Sequence, residues 1–135
     1  MSDLETGVTR HAMANAALSA RVGGRFYPLF IPADAALPAI AYQRISGNRV
    51  HDHDGIDTYE RARIQVTCQA VTYDAAKETA HLVRQAFRGY RGQMGGSGGA
   101  EVLEVVIENE LDGFNSDGDM FTVRIDLLIL HADSD

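Results

Sequence analysis

The sequence predicts an α+β domain: an antiparallel or mixed sheet of about four to five strands, with one long and one short helix packed on one face. Three observations predict it. Residues 61–70 alternate strictly between polar and apolar side chains, the two-residue period of a strand with one dry face. Residues 72–90 repeat apolar side chains three and four apart, which builds one stripe along a helix. The length of 135 residues suits one core and is too short for two, so residues 1–135 are expected to form a single domain with loose ends at 1–8 and 132–135.

The elements follow in order. Thr9 to Ala20 is alanine-rich and predicts the short helix, stopped by Gly23-Gly24. Arg25 to Ile31 is β-prone, but Pro28 cannot donate to a ladder, so this strand belongs at an edge. Pro32 to Pro38 reads as a loop. Ala39 to Ser46 predicts a strand, with Ile40, Tyr42 and Arg44 on one face and Ala41, Gln43 and Ile45 on the other. Gly47 to Thr58 is polar and rich in turn formers, and reads as a hairpin excursion. In the next strand Ala62, Ile64, Val66, Cys68 and Ala70 form the dry face, and a slip of one residue would bury arginines. Thr72 is a good N-cap, and Ala76, Ala80, Val83, Phe87 and Tyr90 make the stripe of the long helix. Gly92 to Gly99 reads as a flexible connector. Leu103, Val105, Ile107 and Leu111 then share one phase of a strand, Asp112 to Asp119 forms a turn, and Phe121 to His131 closes the sheet. That last strand is apolar on both faces towards its end, as when a neighbouring element or another chain covers it.

Nineteen acidic residues against twelve basic ones give a net charge of −7, which argues against coating a nucleic-acid backbone. Eleven of the twelve cations are Arg, a bias that suits ion pairs at packed interfaces and equally reflects a GC-rich coding sequence. Cys68 is the single cysteine, so no internal disulfide forms and a reducing, cytosol-like compartment is expected. No apolar stretch reaches membrane-spanning length, and the acidic N-terminus does not read as a signal peptide.

The sharpest local cluster is His51-Asp52-His53-Asp54. These are metal-ligand side chains, yet alternate residues on one loop give half a site at most; the other reading is a solvated loop tip. Asp112, Asp117 and Asp119 suggest a calcium loop faintly, but the closing Glu is missing. The glycine tract lacks the Lys-Ser/Thr of a phosphate loop. His11 and His131 read as isolated surface or rim residues, and Glu104, Glu108 and Glu110 as a wet strand face. No nucleophile or metalloenzyme motif is present, so no catalytic residue, cofactor or metal is assigned.

Val22-Gly23-Gly24-Arg25-Phe26-Tyr27-Pro28 followed by Leu37-Pro38-Ala39-Ile40-Ala41-Tyr42, then Arg63-Ile64-Gln65-Val66, Thr72-Tyr73-Asp74-Ala75-Ala76 and Val83-Arg84-Gln85-Ala86-Phe87, resembles the tail-completion, or tail-terminator, proteins of long-tailed phages and phage-derived particles such as gene transfer agents. The resemblance runs from about Ala17 to Leu130; where relatives often carry an aromatic residue late in the central strand, this chain has Cys68-Gln69. It implies a structural protein of the virion, assembled in the host cytoplasm and sited at the head-proximal end of the tail. Relatives form rings, commonly of six subunits, that cap the tail tube, stop its growth and offer a surface to head connector proteins. DNA would pass through the channel without specific binding. The implied partners are further copies of itself, the tail tube protein and the connector or neck proteins; no membrane is involved. A neck or head-closure component, or a small metal-binding protein or enzyme built on His51 to Asp54, are the alternatives. Arg49, His51, Asp52, His53, Asp54 and Asp57 are the candidate subunit-interface residues, on the expectation that this excursion orders on a neighbouring subunit.

Overall fold

The computed structural model describes residues 3–51, 58–96, 99–116 and 118–132, and among them three helices pack on one face of a six-stranded sheet. That is one or two strands and one helix more than the sequence predicts. The extra helix arises where one was expected: α1 (Asp3–Ala14) and α2 (Ala16–Val22) are separate, because Asn15 leaves helical geometry and its side chain accepts the Leu18 N–H as an N-cap. Residues 3–8, expected outside the helix, form its first turns. Leu4, Val8 and Ala12 are fully buried at spacings of four, so this segment is core. Gly23 ends α2 in the left-handed conformation, as expected of a glycine stop.

The strands are β1 (Phe26–Pro28), β2 (Ala39–His51), β3 (Thr58–Ala70), β4 (Gly92–Met94), β5 (Ala100–Asn115) and β6 (Met120–Ala132), and α3 (Tyr73–Phe87) follows β3. Their order across the sheet is β1-β2-β3-β6-β5-β4. The β1–β2 pair is parallel and every other pair antiparallel, so the sheet is mixed. β1 sits at an edge, as Pro28 requires. β2 runs on to His51, so residues 47–51, expected in the excursion, pair with β3. The start of the glycine tract, expected as a connector, forms strand β4. Met94 is fully buried, and α1 approaches so closely that a Cβ on Gly7 would lie 2.7 Å from the Met94 carbonyl oxygen. This contact holds β4 in place; propensity alone could not have found it.

The core is the face that β3 and β6 share with the helices. Ala62, Ile64, Val66, Cys68 and Ala70 meet Val123, Ile125, Leu127 and Ile129, with Ala76, Ala80, Val83 and Phe87 of α3 above them. Burial of β3 follows the predicted alternation residue by residue. β5 departs from its prediction, because its register against β6 shifts between Val102 and Glu104 and again between Ile107 and Asn109. Each bulge reverses the phase, so Val102 and Val105 are buried while Leu111 is exposed. β5 also absorbs Asp112 to Asn115, which were expected in a turn.

Candidate functional site

Of the residues that the sequence singled out as subunit-interface candidates, the structure describes two. Arg49 and His51 are at the end of β2, their backbones paired with Glu60 and Thr58. Asp52, His53, Asp54 and Asp57 lie outside the described residues. Among the described residues no three His, Cys, Asp or Glu side chains are grouped to hold a metal ion. Asp112 is no part of a calcium loop: it sits in β5, accepting from the Tyr73 hydroxyl at 2.7 Å and from Lys77 at 3.1 Å. The hydrogen bond from Tyr73, and then that from Lys77, hold the Asp112 carboxyl below the usual range. Burial pushes the Cys68 thiol up to about 12, which leaves it without thiolate character.

Two histidines expected on the surface are structural. His11 Nε2 donates to the Ala86 carbonyl at 2.6 Å and its ring lies 4.9 Å from that of Phe87, tying α1 to the end of α3. His131 is buried, with Nε2 3.0 Å from Glu60. Glu60 also pairs with Arg44 at 2.5 Å, and Arg44 reaches Glu5 of α1 at 3.0 Å, so one ionic network joins α1, β2, β3 and β6. Two further acids of β5 are likewise engaged: Glu108 pairs with Arg63, and Glu110 with Lys77 and Arg84 of α3, while Glu104 is exposed as expected.

What remains available for partners is the helix-free face of the sheet and its flanks. Two features there escaped sequence reasoning. Pro28, Leu29 and Phe30 form a γ-turn in which the Phe30 N–H bonds the Pro28 carbonyl and Leu29 adopts φ +71°. This is a strained conformation for leucine, and it leaves Leu29 67% and Phe30 69% exposed. Exchanging Leu29 for glycine is expected to leave the fold as stable or firmer by up to about 1 kcal/mol, checked by thermal unfolding, because the strain is relieved and no buried contact is lost.

The second feature is a cleft of about 470 Å³ on the helix-free face. Two rows of cross-strand neighbours, Thr67–Arg124–Leu111 and Gln69–Thr122–Gly113, form its floor. Gly113 deepens it, since a Cβ there would come 2.7 Å from the Thr122 hydroxyl. Leu111 supplies its apolar floor and is 56% exposed, whereas Phe114, two residues beyond Asp112 on the opposite face of β5, rests its ring 4.9 Å from that of its cross-strand partner Phe121. Among the described residues Arg124 has no ion-pair partner.

The sheet thus carries helices on one side and exposed apolar side chains on its flanks, a kind of surface that marks contact with another molecule. The comparison with known families agrees. The family model described as "Tail completion protein gp17" matches residues 6–132, and the chain belongs to that family, whose members are structural phage tail proteins. No curated protein matches it. Among solved structures, a chain of the "Virion of native gene transfer agent (GTA) particle" shares the fold, with a TM-score of 0.70 at 16% identity over 96% of this chain and 95% of that one. No helix among the described residues is long and apolar enough to cross a membrane.

Proposed function

We propose that this protein forms a ring of six subunits that caps the tail tube of a phage or phage-derived particle, ends tube polymerisation and presents the surface to which the head connector joins. The observation that carries the reading is the family match over nearly the whole chain. The chemistry of the molecule supports it. A ring repeats one head-to-tail contact, which needs two unlike surfaces on each subunit, and the two flanks of this sheet are unlike. The net charge of −7 suits a channel wall along which DNA phosphates slide without being held. Particles assembled without the protein are expected to carry overlong, headless tail tubes. Tubes of normal length that lack only heads would move the assignment to the neck, and normal particles would overturn it.

The hairpin tip, with Arg49, His51, Asp52, His53, Asp54 and Asp57, is proposed as a subunit contact. Replacing residues 52–57 by Asn-Gly keeps the His51–Thr58 pair within reach of a tight turn. The expected outcome is a monomer of stability changed by no more than about 1 kcal/mol and a ring that assembles poorly. Unchanged assembly would count against this contact.

A further inference from the structure

We infer that the ring contact seats the Leu29–Phe30 turn of one copy in the Leu111–Arg124 cleft of the next. The inference rests on the ring reading and adds to it the surface through which the copies join. The turn lies beyond β1, on one flank of the sheet, and the cleft opens over β3, β6 and β5 towards the other. Four interstrand spacings separate β1 from β5, about 19 Å. The Leu29 N–H is bonded to the Tyr42 carbonyl at 2.8 Å, which fixes the turn against β2 on its own side of the sheet. The turn and the cleft are thus two different surfaces of one copy, as a head-to-tail contact demands.

The two surfaces also match in chemistry. A leucine and a phenylalanine, each about two-thirds exposed, face Leu111, which is more than half exposed on the cleft floor. Residues 28–38, which carry the turn, hold a single charge, Asp34, exposed and without an ion-pair partner among the described residues. The cleft supplies the opposite sign in Arg124, exposed and likewise without an ion-pair partner among the described residues. Desolvated aromatic anchors carry most of the binding energy at such contacts, while one complementary charge pair fixes orientation. The strain at Leu29 fits the same account, since a rigid turn presents both side chains without an ordering cost on association.

The test is self-association of the full chain, followed by native mass spectrometry and by disulfide trapping. Phe30→Ser, Asp34→Arg and Arg124→Asp are each expected to weaken assembly about tenfold or more. All three positions are exposed, so folding is unaffected, and the Asp34→Arg/Arg124→Asp double variant restores assembly. Phe30→Cys combined with Ser116→Cys, on the rim of the cleft, gives under oxidation a ladder of linked species extending past the dimer. A ring that assembles normally in the single variants and traps no ladder overturns this contact and leaves the ring reading standing. A wild-type chain that stays monomeric at every concentration and within isolated particles overturns both.

Discussion

Replacing Phe87 with alanine is expected to cost about 4 kcal/mol of folding stability and to lower the unfolding midpoint by on the order of 10 °C. Phe87 is fully buried and is among the largest side chains of the core. It closes α3, and its ring meets His11 of α1, whose Nε2 bonds the last turn of the same helix. Truncation opens a cavity where the two helices meet the sheet, and the rigid β3–β6 pair beneath cannot collapse into it. Phe87→Leu is expected to recover more than half of the loss. Urea denaturation of both variants checks the pair. If the alanine variant loses under about 1 kcal/mol, the junction of α1 with α3 is not the tight packing described.

Where one period governed, the sequence was readable. β3 is the clearest case, since Ala62 to Ala70 lie between two strands and no bulge breaks their alternation. Thr72 caps α3 as expected, its hydroxyl accepting the Ala75 N–H at 3.1 Å. β5 could not be read because two bulges reset its phase, and a bulge is a property of pairing rather than of local propensity. The same shifts put Glu108 and Glu110 on opposite faces, one against Arg63 and the other against α3, where the sequence suggested one wet row. α1 did carry a signal, the four-residue spacing of Leu4, Val8 and Ala12, masked by the alanines that drew attention to later residues. The hairpin tip stood out by composition, whereas the Leu29–Phe30 turn did not. Nothing local distinguishes an exposed Leu-Phe pair from a buried one; only the backbone conformation at Leu29 reveals it.

A second large loss is expected from Arg44→Ala, about 2 kcal/mol near neutral pH. Arg44 stands between two carboxylates, and their side chains retain only 21% exposure at Glu5 and 18% at Glu60. Removing one guanidinium therefore strands two partly desolvated charges and unlinks α1 from β2 and β3. Residual solvent access keeps the loss below that of a sealed pair. The effect depends on pH with a definite sign. Burial acts to raise the Glu60 carboxyl, but Arg44 and then His131 outweigh it and hold the group below its ordinary value. A depressed carboxyl contributes stability that is present above its unfolded pKa and is lost as pH falls through the folded one. The difference between wild type and Arg44→Ala should therefore be fully developed at pH 7 and shrink below about pH 4, as Glu60 takes up a proton in both. Without Arg44, burial is opposed by His131 alone, so Glu60 protonates at higher pH and the variant gains less stability between pH 4 and 7. Urea unfolding of the two proteins at pH 3, 5 and 7 reads this directly. A difference that stays constant across that range would mean that Arg44 acts through packing of its aliphatic stem, and that the charges of Glu5 and Glu60 are stabilised by solvent instead.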